Sequence, residues 1–254
     1  MSGAVADTPA RLVSPAEPIE LRGDPPPFVG RGGEKLRAAL TRFALDPTGM
    51  RALDAGVSTG GFTDCLLQAG AREVVAVDVG HGQLHEKLRS DPRVVVHERL
   101  DVRALTVATL GARPVDLVTV DLSFISVTRA VPVLTGGVAV PGAPLLLLVK
   151  PQFEAGRAEA SRGRGVIRDP AVQRRVLGEV AAALRSAGAA IMGAMPSPIT
   201  GHSGNVEFML YARTRQEGTG VVPEGPLDAL VDAAVDAALD EAVDESARPH
   251  SAGG

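Results

Sequence analysis

The sequence predicts an α/β fold, a mostly parallel seven-stranded sheet with helices on both faces. Three observations carry this. Short apolar runs bounded by Gly, Pro or Asp recur through residues 51–149, and helical stretches of about ten to fifteen residues separate most of them. Beyond them, two further strand-like runs flank one short turn-rich segment, so the last pair is expected to be antiparallel.

Taken in order, residues 1–27 contain six prolines, end in Pro25-Pro26-Pro27 and lack sustained periodicity, which predicts a mobile extension. From Gly32 to Ala44 the positions Leu36, Ala39, Leu40 and Phe43 recur at helical spacing, with Lys35 near the helix start. Strands are expected at Arg51–Asp54, Val74–Asp78, Val94–His97, Leu117–Asp121 and Leu145–Val149. A helix follows at Pro170–Ala187, then strands at Ala190–Met195 and Val206–Ala212 around the turn-rich Pro196–Gly204. Residues 28–217 thus form the main domain. The remainder, 218–254, reads as an acidic tail whose segment Leu227–Val243 sets Leu227, Val231, Ala234, Val235 and Ala238 against Asp228, Asp232, Asp236 and Asp240 on an amphipathic helix.

Composition narrows the class. With 254 residues, 45% hydrophobic and 22% charged, the chain suits one soluble globular domain with short appendages, and excludes collagen, coiled coil and wholesale disorder. The longest apolar run, Leu145–Val149 after Pro144, is far short of the roughly 20 residues a membrane span needs. The first residues lack a basic start and an apolar stretch for export, so a cytoplasmic location is expected, with no membrane contact. Cys65 is the single cysteine, and no Cys/His cluster has zinc-site spacing, so neither disulfide nor metal is expected.

The net charge of −4 hides an asymmetry: residues 218–254 carry eight acids and one base, so residues 1–217 hold 25 bases and 22 acids. A body at +3 is only mildly basic, which leaves RNA open as a partner without demanding it. Of the 26 bases only Lys35, Lys87 and Lys150 are lysines, which marks these three as places where a compact ammonium, or a base able to lose its proton, is needed.

The strongest local signal is the run Leu53 to Asp64, where Asp54, Gly56, Ser58, Thr59, Gly60, Gly61 and Phe62 lie between the end of the first strand and the start of the next helix. Glycines there let backbone approach a ligand closely, and a helix start offers unpaired N–H groups. Asp78 ends the second strand 22 residues after Gly56, where an acid can accept both hydroxyls of an adenosine ribose. Because the dinucleotide pattern G-x-G-x-x-G is absent and Asp54 precedes the turn, the arrangement points to S-adenosyl-L-methionine. Asp101, after the third strand, is placed to receive the adenine amino group, although a charged surface loop explains it almost as well.

Four further motifs fall at the ends of predicted elements: Arg31-Gly32-Gly33-Glu34-Lys35-Leu36, Asp121-Leu122-Ser123-Phe124-Ile125, Val149-Lys150-Pro151-Gln152-Phe153-Glu154 and Ser203-Gly204-Asn205-Val206-Glu207-Phe208. With the cofactor turn they resemble the FtsJ-like ribose methyltransferases, and most closely the TlyA (hemolysin-like) branch, which methylates ribosomal RNA at ribose 2′-hydroxyls. The similarity runs from about Phe28 to Arg213 and includes Gly165-Val166-Ile167-Arg168-Asp169-Pro170. It implies a Rossmann-like class I methyltransferase fold and places the family's Lys-Asp-Lys-Glu tetrad on Lys35, Asp121, Lys150 and Glu207, with Asp121 also beside the cofactor.

In that scheme Lys150 takes the proton of the ribose hydroxyl, Lys35 sets the local field, and Asp121 and Glu207 orient the lysines. A second ammonium nearby and partial burial would prepare Lys150 to act as a base. Departures exist: Phe28-Val29-Gly30 stands where the family has Tyr-Val-Ser, His81 replaces a Tyr and Asp101 an Asn, and the Pro-rich 1–27 stands where relatives carry a small RNA-binding domain. Arg157, Arg162, Arg164 and Arg168 are candidates for gripping phosphates, favouring RNA or a ribosomal subunit as partner. The weak positive charge favours a small-molecule acceptor instead, an indole, phenol or amine, with His202 as a candidate group acting on it.

Overall fold

The computed structural model describes residues 25–215 and 227–247. In chain order the elements are α1 (Gly32–Arg42), β1 (Arg51–Ala55), α2 (Gly61–Gln68), β2 (Glu73–Val77), α3 (Glu86–Arg89), β3 (Val94–His97), β4 (Leu117–Val120), α4 (Val131–Thr135), β5 (Pro144–Val149), α5 (Pro151–Glu154), α6 (Arg157–Arg162), α7 (Pro170–Ser186), β6 (Ala190–Pro196), β7 (Phe208–Arg213) and α8 (Leu227–Ala247), with 3-10 turns at Val102–Ala104 and Val127–Arg129. The strands form one seven-stranded sheet in the order β3-β2-β1-β4-β5-β7-β6. The first five pair in parallel, while β7 runs antiparallel to both β5 and β6. This is the expected sheet, including the antiparallel last pair.

Side chains that alternate along each strand feed two cores, one on each face. Leu145, Leu147 and Val149 of β5 pack with Val131 and Leu134 of α4, Leu177, Val180 and Leu184 of α7, and Val231 and Val235 of α8. Leu146 and Leu148 enter the opposite core with Leu36 and Leu40 of α1 and Phe62 and Leu66 of α2. A strand buried on both faces needs an unbroken apolar run, which explains Pro144–Val149. The expected ten to fifteen helical residues between strands are not uniform: α3 has 4 and α4 has 5, because irregular chain and a 3-10 turn make those crossovers.

Two local signals work as physical chemistry requires. Asp169 caps α7 by accepting the Ala171 N–H at 2.9 Å, and Pro170 sits in the first turn, where no N–H is needed. On α8, Val231, Ala234, Val235 and Ala238 are buried while Asp232 and Asp236 bind Arg174 of α7, so part of the acidic stripe is held by this chain itself. Among the described residues no helix is long and apolar enough to cross a membrane. Residues 1–24 of the Pro-rich segment, 216 and 217 at the end of the main domain, and 218–226 and 248–254 of the tail lie outside the described residues.

Candidate active site

The carboxyl ends of the parallel strands carry the chemistry-bearing residues, as in open α/β sheets generally. At the end of β1, Asp54 is fully buried, and its Oδ2 accepts the Thr63 hydroxyl at 2.6 Å. Its Oδ1 is buried with no partner, and burial pushes the carboxyl up to about 7. Asp78, just beyond β2, is half-buried; its Oδ2 accepts the Ser58 N–H at 2.8 Å and its Oδ1 the Gly80 N–H at 2.7 Å. One carboxylate therefore joins the turns after β1 and β2 and holds Ser58 at φ 48°, a left-handed conformation uncommon outside glycine. Each oxygen keeps a second lone pair for a hydroxyl donor.

Ser58 and Thr59 are exposed at the turn, whereas Gly60, Gly61 and Phe62 are buried. A Cβ on Gly60 would lie 2.2 Å from Leu88, and one on Gly61 would lie 2.9 Å from the Gly33 nitrogen. Gly60 also lies at φ 102°, where glycine is favoured, and Gly61 is needed where α2 packs on backbone at the start of α1. Phe62 turns its ring into the core beneath Gly32, so only its backbone belongs to the helix start. Asp101 accepts the Arg103 N–H at 2.9 Å and pairs with the Arg103 guanidinium, whose hydrogen bonds lower its carboxyl to about 2. Both carboxylate oxygens are thus engaged by Arg103.

Across the sheet, four residues from four distant segments form two ion pairs. Lys35 extends from α1 and its Nζ lies 2.5 Å from Glu207 Oε2, with side-chain exposures of 10% and 3%. Lys150 follows β5 and its Nζ lies 2.5 Å from Asp121 Oδ1 and 2.9 Å from the Ser123 hydroxyl. Val149 pairs with Phe208 in the β5–β7 ladder, so Lys150 and Glu207 leave adjacent strands at the same level. A Cβ on Gly32 would lie 3.8 Å from Asp121 Oδ2, which brings the start of α1 against the second pair as well.

One group here has no counterpart in the sequence-based site. Phe124 is 88% exposed at φ 69°, with its ring 5.4 Å from that of Phe153, and the Phe153 ring lies 5.8 Å from Lys150 Nζ. The residue was visible within its motif, but aromatic content alone predicts burial, and only the backbone conformation turns the ring outward.

Glu154 steadies this corner by accepting the Val127 N–H at 2.9 Å, and burial raises its carboxyl. Arg162, Arg164 and Arg168 are exposed and have no ion-pair partner among the described residues. Arg157 starts α6, and its side chain lies outside the described set. His202 is exposed on the loop before β7, whereas His85 caps α3 by accepting the Lys87 N–H. A separate cavity of 410 Å³, lined by Phe28, Arg37, Leu40 and Cys65, includes none of the site residues, and burial pushes the Cys65 thiol up to about 12.

The model of the FtsJ-like methyltransferase family matches residues 28–214, nearly the whole described body. The chain belongs to this family. It is 46% identical over 218 residues to the 16S/23S rRNA (cytidine-2′-O)-methyltransferase TlyA of Mycobacterium tuberculosis, covering 85% of this chain and 80% of that protein. The 23S rRNA (cytidine-2′-O)-methyltransferase TlyA of Campylobacter jejuni is 31% identical, covering 72% of this chain and 70% of its own length. A solved structure of a hemolysin-named protein from Streptococcus thermophilus superposes with a TM-score of 0.77 at 37% identity, covering 88% of this chain and 80% of that one.

Family membership makes the chain a methyltransferase dependent on S-adenosyl-L-methionine, and the first half of the site suits that cofactor. The unpartnered Asp54 Oδ1 seeks a donor such as an amino acid ammonium, the free lone pairs of Asp78 suit ribose hydroxyls, and Val79, 73% exposed beside it, offers an apolar face to a ring.

Proposed function

We propose that this chain methylates a ribose 2′-hydroxyl of ribosomal RNA, with Lys35, Asp121, Lys150 and Glu207 as its catalytic set. The observation that carries the reading is the placing of two lysine–carboxylate pairs at one sheet edge, beside the cofactor turn. The relatives' activity on ribosomal cytidine supports the same substrate, and such a substrate accords with a cytoplasmic enzyme.

In this reading Asp54, Asp78 and the backbone of Gly56 to Phe62 hold the cofactor, which supplies an electrophilic methyl group on a positively charged sulfur. A ribose hydroxyl is a poor nucleophile until its proton leaves. Lys150 in its amine form accepts that proton, and the ammonium so formed rests on Asp121 and Ser123. Lys35 and Glu207 hold the neighbouring strand end rigid and keep its charge balanced. Phe124 offers the acceptor base a stacking face, worth about 1–3 kcal/mol per base. Arg162, Arg164 and Arg168 grip phosphates, and Asp101, bound to Arg103, stands at the rim of the adenine side.

The test is methyl transfer from labelled cofactor to purified ribosomal subunits and free ribosomal RNA, beside a panel of indole, phenol and amine metabolites. Label in the ribose of one nucleotide is expected, with affinity falling steeply as salt rises and a shallower slope in Arg162→Ala/Arg164→Ala. Label in a metabolite alone overturns the RNA substrate and leaves the methyltransferase.

A further inference from the structure

The loop before β7 is tied to the arginine-bearing segment by one buried side chain. Asn205 is 2% exposed; its Oδ1 accepts the Ile167 N–H at 2.9 Å and its Nδ2 donates to the Gly165 carbonyl at 2.8 Å. Its own carbonyl accepts the Gly201 N–H at 2.8 Å, which closes the turn 201–205. That turn lies directly on Glu207, since a Cβ on Gly201 would fall 2.5 Å from Glu207 Oε1. Arg31, which precedes α1, donates to the Thr200 carbonyl at 2.5 Å and anchors the loop from its other end.

The segment 163–168 is otherwise folded mainly on itself. Gly163, Gly165 and Val166 bond to carbonyls of residues 159–163, and Arg164 is held at φ 52°. Among the described residues its hydrogen-bonded ties to other segments are the two Asn205 bonds and a bond from buried Gln173 to the Ile167 carbonyl, beside the buried Ile167 side chain. Only an amide presents a donor and an acceptor side by side, so Asn205 matches a C=O and an N–H two residues apart as no carboxylate or hydroxyl would. Because it stands two residues before Glu207, the same clasp locates the Lys35–Glu207 pair and the exposed Arg162, Arg164 and Arg168 relative to each other.

We propose that Asn205 is a positioning residue that couples phosphate grip to the reaction centre: it holds the arginine segment at the one placement, relative to Glu207, in which bound RNA presents its ribose to Lys150. The proposal rests on the RNA reading above. It predicts that Asn205 and the arginines act as one unit, so that once the clasp is gone the arginines no longer contribute fully.

The experiment is a double-mutant cycle on ribosomal subunits, combining Asn205→Asp or Asn205→Ala with Arg162→Ala/Arg164→Ala, with kcat and KM for the subunit measured separately. Asn205→Asp keeps the shape but sets an oxygen against the Gly165 carbonyl, and Asn205→Ala removes both bonds without burying a charge, so general loss of folding in either is read against a destabilised control. Expected are a fall in kcat of at least tenfold, cofactor affinity within twofold of wild type, and a KM penalty for the arginine pair at least halved, on a logarithmic scale, in the Asn205 background. Hydrogen exchange should show 163–168 and 200–207 losing protection together while α1 and α2 keep theirs. Leu184→Ala, a core truncation in α7, serves as a destabilised control whose kcat and KM below its melting temperature stay near wild type. Independent, multiplying KM effects, or unchanged protection of 163–168, overturn the proposal while leaving the RNA reading intact. Absence of label in any ribosomal RNA with the wild-type protein overturns the RNA reading and the proposal with it.

Discussion

The two lysine–carboxylate pairs share a sheet edge and a 2.5 Å contact, yet they sit in different surroundings. Lys35 and Glu207 close on each other, with the carboxylate only 3% exposed beneath the 201–205 turn. Asp121 is 22% exposed, and its lysine also touches Ser123, beside an outward-facing Phe124. Lys35 and Lys150 themselves are nearly equally buried, at 10% and 11%, so the pairs differ in their carboxylates: Glu207, before β7, is sealed against α1, while Asp121 is partly open. In the proposed mechanism the pair with the more open carboxylate, and with the Ser123 hydroxyl beside its lysine, is the one at which a proton moves. The proposed roles divide accordingly: proton transfer at Lys150 and Asp121, and ordering of α1 against the start of β7 at Lys35 and Glu207.

The sharpest way to break this division is Lys150→Arg. A guanidinium keeps the positive charge beside Asp121 but does not give up its proton near neutral pH, so turnover should fall by about 10²–10⁴, the range general base catalysis supplies. Cofactor affinity should stay near wild type. A fully active arginine variant assigns the base to another group, with exposed His202 the next to test by His202→Ala.

Stability should rank the pairs the other way. Glu207→Gln leaves a buried ammonium without its counter-charge and is expected to cost about 3–5 kcal/mol, whereas Asp121→Asn, where the carboxylate is more open and Lys150 still donates to Ser123, should cost less. Urea denaturation of both variants without cofactor measures the difference. Equal losses would mean that the pairs do not differ in kind.

The same edge shows why some of the site was readable from sequence and some was not. The turn from Asp54 to Gly61 and the acid at Asp78 lie within one β-α-β stretch, where chain order fixes what meets what. Lys35, Asp121, Lys150 and Glu207 come from four segments, and motif resemblance named them without giving their partners. That Lys35 faces Glu207 and Lys150 faces Asp121 follows from strand order β4-β5-β7 and from the placement of α1, which are tertiary facts. Asn205 was legible only as part of a motif, because its bonds to Gly165 and Ile167 span about forty residues of chain. The glycines at 60 and 61, read as places of close approach to a ligand, also answer needs that only the fold displays: a left-handed backbone at Gly60 and the packing of α2 on α1 at Gly61. Short α3 and α4 escaped the periodicity argument, since 4 or 5 residues make too little of a helical repeat to count.

On the cofactor side, Asp78→Ala removes an acceptor for ribose hydroxyls and also releases the Ser58 and Gly80 N–H groups. Cofactor binding should weaken by about 1.5–3 kcal/mol, the worth of hydrogen bonds to a charged group, as read by calorimetric titration with the cofactor and its demethylated product. Unchanged affinity would remove Asp78 from the cofactor site.

The most gradual effect, spread over several units of pH, belongs to Asp54, and its sign separates the two halves of the edge. Asp54 has no counter-ion among its hydrogen-bond partners, and burial raises its carboxyl from 3.8 to about 7 in the folded chain. The folded state therefore binds a proton more tightly than the unfolded state does. The stabilisation linked to that proton is complete below about pH 4 and is lost as pH rises toward about 7, at a slope of at most about 1.4 kcal/mol per pH unit. Asp54→Asn keeps an acceptor for Thr63 and cannot ionise, so the variant should gain on the cofactor-free wild type as pH rises from 4 to 7, with the difference level above about 8. Comparing the two proteins by urea denaturation across this range cancels the other titrating groups, including the raised Glu154. A stability difference independent of pH would show that Asp54 is already ionised throughout, with a cation or donor meeting its Oδ1, and the buried carboxyl would then resemble the paired carboxylates across the sheet.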